Sequence, residues 1–170
     1  AKSQEPSCVG EAGKLEWLIF DNTAGDISLN PNYPQSPNGI EIIRSLETEI
    51  DFNDNYASIV KGFIKAPVSG KFIFNVTGRD YVDFYLSSNH LPENKKLLVK
   101  TEWTSYNQFD RTKSQTDSVE LVIDNYYYFE LYQRETSGSE HARVSWKIPS
   151  GVNEWRTIGE DYTYSYACVE

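Results

Sequence analysis

Methionine is absent, cysteine and histidine occur twice each, and no uninterrupted apolar run exceeds about five residues in a chain of 170. Each scarcity excludes something. A membrane-spanning helix needs about 20 consecutive apolar residues, so no helical membrane insertion by this domain is expected. Basic residues are outnumbered, 16 against 25 acidic, for a formal charge of −9. Nucleic acid and anionic membrane surfaces reward clustered Lys and Arg, and neither is expected as a partner. A structural zinc site takes four Cys or His ligands, and Cys8, Cys168, His90 and His141 show no such spacing. With no Met and no signal peptide, the chain reads as a processed or excised piece of something larger.

The two cysteines stand near opposite ends of the chain. A disulfide fastening the first segment to the last is preferred over two unrelated buried thiols. In the chain-entropy model a loop of that size contributes on the order of 5 kcal/mol. A bridged pair implies an oxidising compartment, hence an extracellular or cell-surface location.

What the sequence does contain is alternation. Val82, Phe84 and Leu86 alternate with Tyr81, Asp83 and Tyr85, and Phe72, Phe74 and Val76 with Ile73 and Asn75. Tyr127, Phe129 and Leu131 oppose Glu130 and Arg134, while Ala142, Val144, Trp146 and Ile148 oppose His141, Arg143, Ser145 and Lys147. Further strands are expected at residues 15–20, 57–65, 97–101 and 119–123. Turn-rich stretches at 67–70, 87–94, 137–139 and 149–151 separate them. Pro31, Pro34 and Pro37 make residues 30–39 a long surface loop. There is almost no helical periodicity, no internal repeat and no interdomain linker. The pattern predicts one all-β domain over residues 1–170, an antiparallel sandwich or barrel of two sheets with its termini joined. That length is enough for a single real core.

Four blocks then occur in order: "PNYPQSPNG", "LETEIDFNDNYASIVKGFIKAPVSGKFIFNV", "YLSSNHLPENKKLLVK" and "YYYFELYQRETSGSEHARVSWKIPSG". Together they resemble the protective-antigen β-barrel domain, most of all the copies in fibrocystin-like receptors and large bacterial surface proteins. The resemblance covers residues 15–148. It implies two antiparallel sheets in a secreted or surface-exposed module, often one that binds glycans in adhesins and glycosidase accessory domains.

In glycan-binding members of that family, the corner within "FNVTGRDYVDFYLSS" carries two adjacent aspartates that hold calcium. Here Asp80 matches the second carboxylate, and Arg79 stands where the first should be. Calcium takes six to eight oxygen ligands, and arginine supplies none. A divalent ion about 4 Å from a guanidinium meets a repulsion of roughly 8 kcal/mol at an effective dielectric constant near 20. Calcium is therefore disfavoured as a cofactor, with Asp80 the ligand if it binds after all. Arg79 has two readings. One is a structural ion pair with Asp80 or Glu140; the other is a forked donor that reads a ligand's carboxylate or sulfate.

Trp103 and Tyr106 lie in a less regular segment, where an aromatic ring either packs under a loop or stacks on a sugar. Asn75-Val76-Thr77 is a glycosylation sequon, and alternation against Phe72, Phe74 and Val76 turns Asn75 toward solvent, making it a candidate glycan carrier. Both histidines are expected to be solvated. No GxSxG, HExxH or Cys–His arrangement occurs, so no catalytic residue is expected. The functional expectation is a non-catalytic extracellular ligand-binding or adhesion module, glycan-directed, within a larger surface or secreted protein. Its partners would be a glycan or protein at the cell surface and neighbouring domains of the parent. The alternative is an architectural spacer or protein-interaction module that binds no small ligand.

Overall fold

The computed structural model describes residues 6–23, 26–48, 55–78, 81–101, 116–135, 141–149 and 153–168. Among the described residues the chain forms β1 (Val9–Ala12), β2 (Leu15–Asp21), β3 (Gly39–Ile43), β4 (Tyr56–Lys65), β5 (Gly70–Gly78) and β6 (Tyr81–Ser87). There follow β7 (Lys95–Thr101), β8 (Val119–Leu121), β9 (Tyr126–Glu135), β10 (Ala142–Lys147), β11 (Arg156–Thr157) and β12 (Thr163–Tyr166). Two single 3-10 turns, Ile27–Leu29 and Pro92–Asn94, complete the regular structure of the described residues.

The strands form two antiparallel sheets. The larger holds eight, in the order β1-β12-β4-β9-β6-β7, with β2 also paired to β4 and β3 to β2. The smaller is β11-β10-β5-β8. The eight strands expected from alternation are all present. The four that were missed, β1, β3, β11 and β12, are two to five residues long, too short to show a period. The expected loop gives way to strand at Gly39, where β3 begins.

Between the sheets lies an aromatic core. Trp146 packs on Phe72 and Phe74 at ring distances of 5.2 and 6.0 Å, and Phe84 bridges Phe74 to Phe129 at 5.9 and 6.0 Å. Such tilted and offset pairs suit the ring quadrupoles. Gly62 of β4 exists for this packing, because a Cβ there would stand 2.5 Å from the Tyr164 carbonyl oxygen and 3.1 Å from the Phe129 ring. The turn before β5 uses Gly70 at φ +141°, a backbone state that other residues rarely adopt.

Cys8 and Cys168 are disulfide-bonded, with their Cα atoms 4.8 Å apart across a separation of 160 residues. The neighbouring backbone holds them in place: Ala167 donates its N–H to the Cys8 carbonyl at 2.7 Å, and β1 pairs with β12. Reducing the bond, or replacing Cys8→Ser, is expected to lower unfolding free energy by up to about 5 kcal/mol. Denaturant titration with and without reductant reads this, and coincident midpoints would show that strand pairing alone secures the ends.

Candidate functional site

Strand register brings many chain ends together at one end of the sandwich. Ala142 pairs with Gly78, Tyr81 with Arg134, Val82 with Thr101, Tyr56 with Glu135, and Asp21 with Tyr56. From these positions depart the stretches 79–80, 102–115 and 136–140. Arg79, Asp80, Trp103, Tyr106 and Glu140 all fall in those stretches and lie outside the described residues. The ends that carry them nonetheless meet. At Gly78 a Cβ would overlap the Val82 side chain, so only glycine fits ahead of the corner.

Next to that corner, on the face of the large sheet turned away from the core, runs a groove of about 360 Å³. Its walls include Tyr81, Asp83 and Tyr85 of β6, Tyr132 and Arg134 of β9, and Tyr33 from the loop after the first 3-10 turn. Period-2 geometry explains the set, since Val82, Phe84, Leu86, Phe129 and Leu131 take the opposite, buried face. The 3-10 turn at Ile27–Leu29 closes one side of the groove. Asp26 caps it, its Oδ1 accepting from the Ser28 backbone N–H at 2.9 Å and the Ser28 hydroxyl at 2.7 Å, which holds its carboxyl below the usual range. Ile27 anchors the turn against Phe20, Ala57 and Ile59.

A polar network fixes the tyrosines. Glu130 is 3% exposed. It accepts from the Tyr128 hydroxyl at 2.6 Å and the Tyr132 hydroxyl at 2.5 Å, and Lys95 Nζ stands 3.3 Å away. Burial pushes the Glu130 carboxyl up, but these donors outweigh it and hold the group below its ordinary value. The Tyr132 phenol is pushed upward by burial and by its bond to Glu130. Tyr85 meets Tyr132 edge-on at 5.6 Å, and the Arg134 guanidinium lies 3.8 Å from the Tyr81 ring centre.

Asp83 differs from these groups. Cross-strand pairing sets it between Lys100 of β7 and Tyr132 of β9. Half-buried, its carboxyl is raised above the usual range by desolvation, with Lys100 and Arg134 opposing and Asp26 adding to the shift. Among the described residues its carboxylate accepts no hydrogen bond. The groove therefore offers aromatic faces, fixed hydroxyls and one acceptor without a donor.

Three expectations need correction. Asn75 is not turned to solvent: it is fully buried, with Oδ1 accepting from the Val76 N–H and Nδ2 unpartnered. Alternation assigned its face correctly, but that face of the small sheet is covered there, as the equally buried Ser145 beside it confirms. The exposure on which glycan attachment rested does not hold. His141 is likewise buried rather than solvated, whereas His90 is exposed. Glu130, placed by alternation on a polar face, is enclosed by tyrosines.

The groove itself was not recognised from sequence. Its signal was the tyrosine content of the face opposite the core: Tyr81 and Tyr85 on β6, and Tyr126, Tyr128 and Tyr132 on β9. Among the described residues no three His, Cys, Asp or Glu side chains gather as metal ligands.

The sequence pattern of the PA14 domain matches residues 36–154. A sequence search of the curated proteins found no match. Among solved structures, the Epithelial Adhesin 9 A domain from Candida glabrata, crystallised with Galβ1-3GlcNAc, superimposes with a TM-score of 0.67 at 14% identity, over 96% of this chain and 93% of that one. The PA14 domain of the MpAFP antifreeze protein gives 0.66 at 10% identity over 100% and 98%. A PA14 sugar-binding domain from an RTX adhesin gives 0.61 at 10% identity over 91% and 99%. At such identities the likeness is one of fold.

The Glu130 network carries a definite pH signature. A carboxyl depressed in the folded state contributes stability above its unfolded value and loses it as pH falls through the folded one. Below about pH 4.5 the protein should therefore lose stability that Glu130→Gln has already given up. Near pH 7 that variant should be about 2 kcal/mol less stable, the scale of a hydrogen bond to a charged group. Chemical denaturation at pH 3.5 and 7 measures both, and parallel pH profiles would remove Glu130 from the account.

Proposed function

The chain belongs to the PA14 domain family, and from that premise we propose that it is a non-catalytic glycan-binding adhesion module acting outside the cell. The observation that carries this reading is the tyrosine-walled groove beside the corner between Gly78 and Tyr81. Protein sites for sugars combine aromatic faces, which meet the C–H side of the ring, with a few placed polar groups for the hydroxyls. The superimposable adhesin domain holding Galβ1-3GlcNAc supports the reading, and the disulfide suits an oxidising, extracellular setting. No catalytic role is assigned to any residue.

The corner is proposed to hold no tight calcium. Calcium needs carboxylate oxygens, and at Arg79 the donor set has a guanidinium where the family's first aspartate stands. Arg79, Asp80, Trp103, Tyr106 and Glu140 remain the proposed contributors from the loops.

One observation favours a second reading, an architectural module binding protein partners. Ile40 and Ile42 of β3 are 55% and 57% exposed, side by side on a strand paired only with β2 among the described residues. Adjacent exposed isoleucines on a sheet edge suit protein contact.

A glycan array with calcium or with chelator separates these readings. Glycan signals independent of calcium are expected, and a blank array would leave the architectural role. Calorimetry should find no micromolar calcium site in the unmodified protein, whereas Arg79→Asp should create or strengthen one. Tight calcium binding abolished by Asp80→Ala would reverse the assignment of Arg79.

A further inference from the structure

We propose that Asp83 is the hydroxyl-reading residue of a metal-independent subsite for a neutral pyranose in the groove between β6, β9 and the Ile27–Leu29 turn. The inference rests on the glycan-binding reading and names the groove and ligand class that serve it.

The first ground is the unused acceptor. An ionised carboxylate has about four lone-pair sites, and a half-buried one without donors costs the fold free energy. Asp26 in the groove wall is tied to two donors, and Glu130 behind it to two phenols and Lys95. Asp83 has charges near it, Lys100 and Arg134, but no donor among the described residues. Vicinal sugar hydroxyls would take its lone pairs in place of groove water.

The second ground is preorganisation. Glu130 locks the Tyr132 hydroxyl, which in turn stands 3.5 Å from the Tyr33 hydroxyl, and Tyr85 braces the Tyr132 ring. Walls that do not reorder lose little entropy on binding. A groove of about 360 Å³ lies at the lower end of small-ligand sites, suited to one sugar ring with its linkage protruding.

The third ground is charge. Asp26 and Asp83 face Lys100 and Arg134, while Lys95 is paired with Glu130. Arg134 is already engaged over Tyr81. A sialylated or sulfated sugar would meet two carboxylates, and a cationic ligand two bases. A neutral ring meets neither penalty.

Among the described residues, the groups facing Asp83 are Asp26 from the turn, Tyr132 and Arg134 from β9, Lys100 from β7, and Tyr81 and Tyr85 on its own strand. Only the carboxyls titrate in the acid range. Asp83 sits above its ordinary value, so sugar affinity should fall as pH drops from 7 toward 4, earlier than an ordinary carboxylate would dictate. Its contribution to stability has the opposite sense, being full below the unfolded value near 3.8 and lost as pH rises through the folded one. Asp83→Asn should consequently melt at or above the temperature of the unmodified protein at pH 7.

The test uses the whole chain on an array of neutral, sialylated and sulfated glycans with chelator present, followed by calorimetry with the strongest neutral hit. Neutral glycans should give the signal, chelator should leave it intact, and Asp83→Asn should weaken binding at least tenfold without lowering the melting temperature. Tyr85→Ala, which removes a wall but no charge, should weaken it comparably at every pH. Binding that survives Asp83→Asn, a signal confined to anionic glycans, loss of signal in chelator, or an Asp83→Asn protein that melts lower would each overturn the subsite while leaving the glycan-binding reading standing. A blank array for the unmodified protein overturns both.

Discussion

The ten-residue antiparallel ladder between β4 and β9, from Tyr56 opposite Glu135 to Lys65 opposite Tyr126, is the constraint on which the molecule depends. It is the longest pairing among the described residues, and both its edges are used. β9 carries β6 on its far side, while β4 is shared by β2 along its first half and β12 along its second. Because a strand's side chains alternate strictly, this one register decides which residues enter the core and which form the outer face. A slip of one residue would exchange Phe129 and Leu131 for Glu130 and Tyr132.

That exchange matters because the outer face is itself half enclosed. Phe63, Tyr126 and Tyr128 form one cluster under Cys8, Val9, Tyr164 and Tyr166, and Phe20, Ile27, Ala57 and Ile59 form another under Tyr33 and Tyr132. The groove is the gap beyond the second cluster. Tyrosine suits such a surface, with a ring to pack and a hydroxyl to bond at its edge. Glu130 is tolerated there only because two phenols and Lys95 satisfy it, as a buried carboxylate requires.

Most of the fold was legible in the sequence, for a physical reason. Strands such as β6 and β10 present one face to the core, so burial is written as a period of two. β1, β3, β11 and β12 are two to five residues long, so even the alternation of Tyr164 and Tyr166 with Thr163 and Ser165 is too brief to stand out. The candidate site was legible only at its corner, where Arg79 departs from a known pattern that Asp80 keeps. Asp83 was visible as a polar residue in an alternating strand, but its isolation depends on donors that other strands fail to supply. Asn75 shows the same limit: alternation tells which side a residue faces, and nothing about what covers that side.

The bond between Cys8 and Cys168 also determines how the domain responds to mechanical load. Tension arriving at either cysteine passes directly through sulfur to the other, across a Cα separation of 4.8 Å. The chain between them, a sequence separation of 160, lies off that path. At roughly 3.4 Å per extended residue, about 540 Å of contour is withheld from stretching. The groove and its tyrosines would thus keep their shape under a pull that would unravel an unbridged sandwich, and lengthening under force would begin only on reduction.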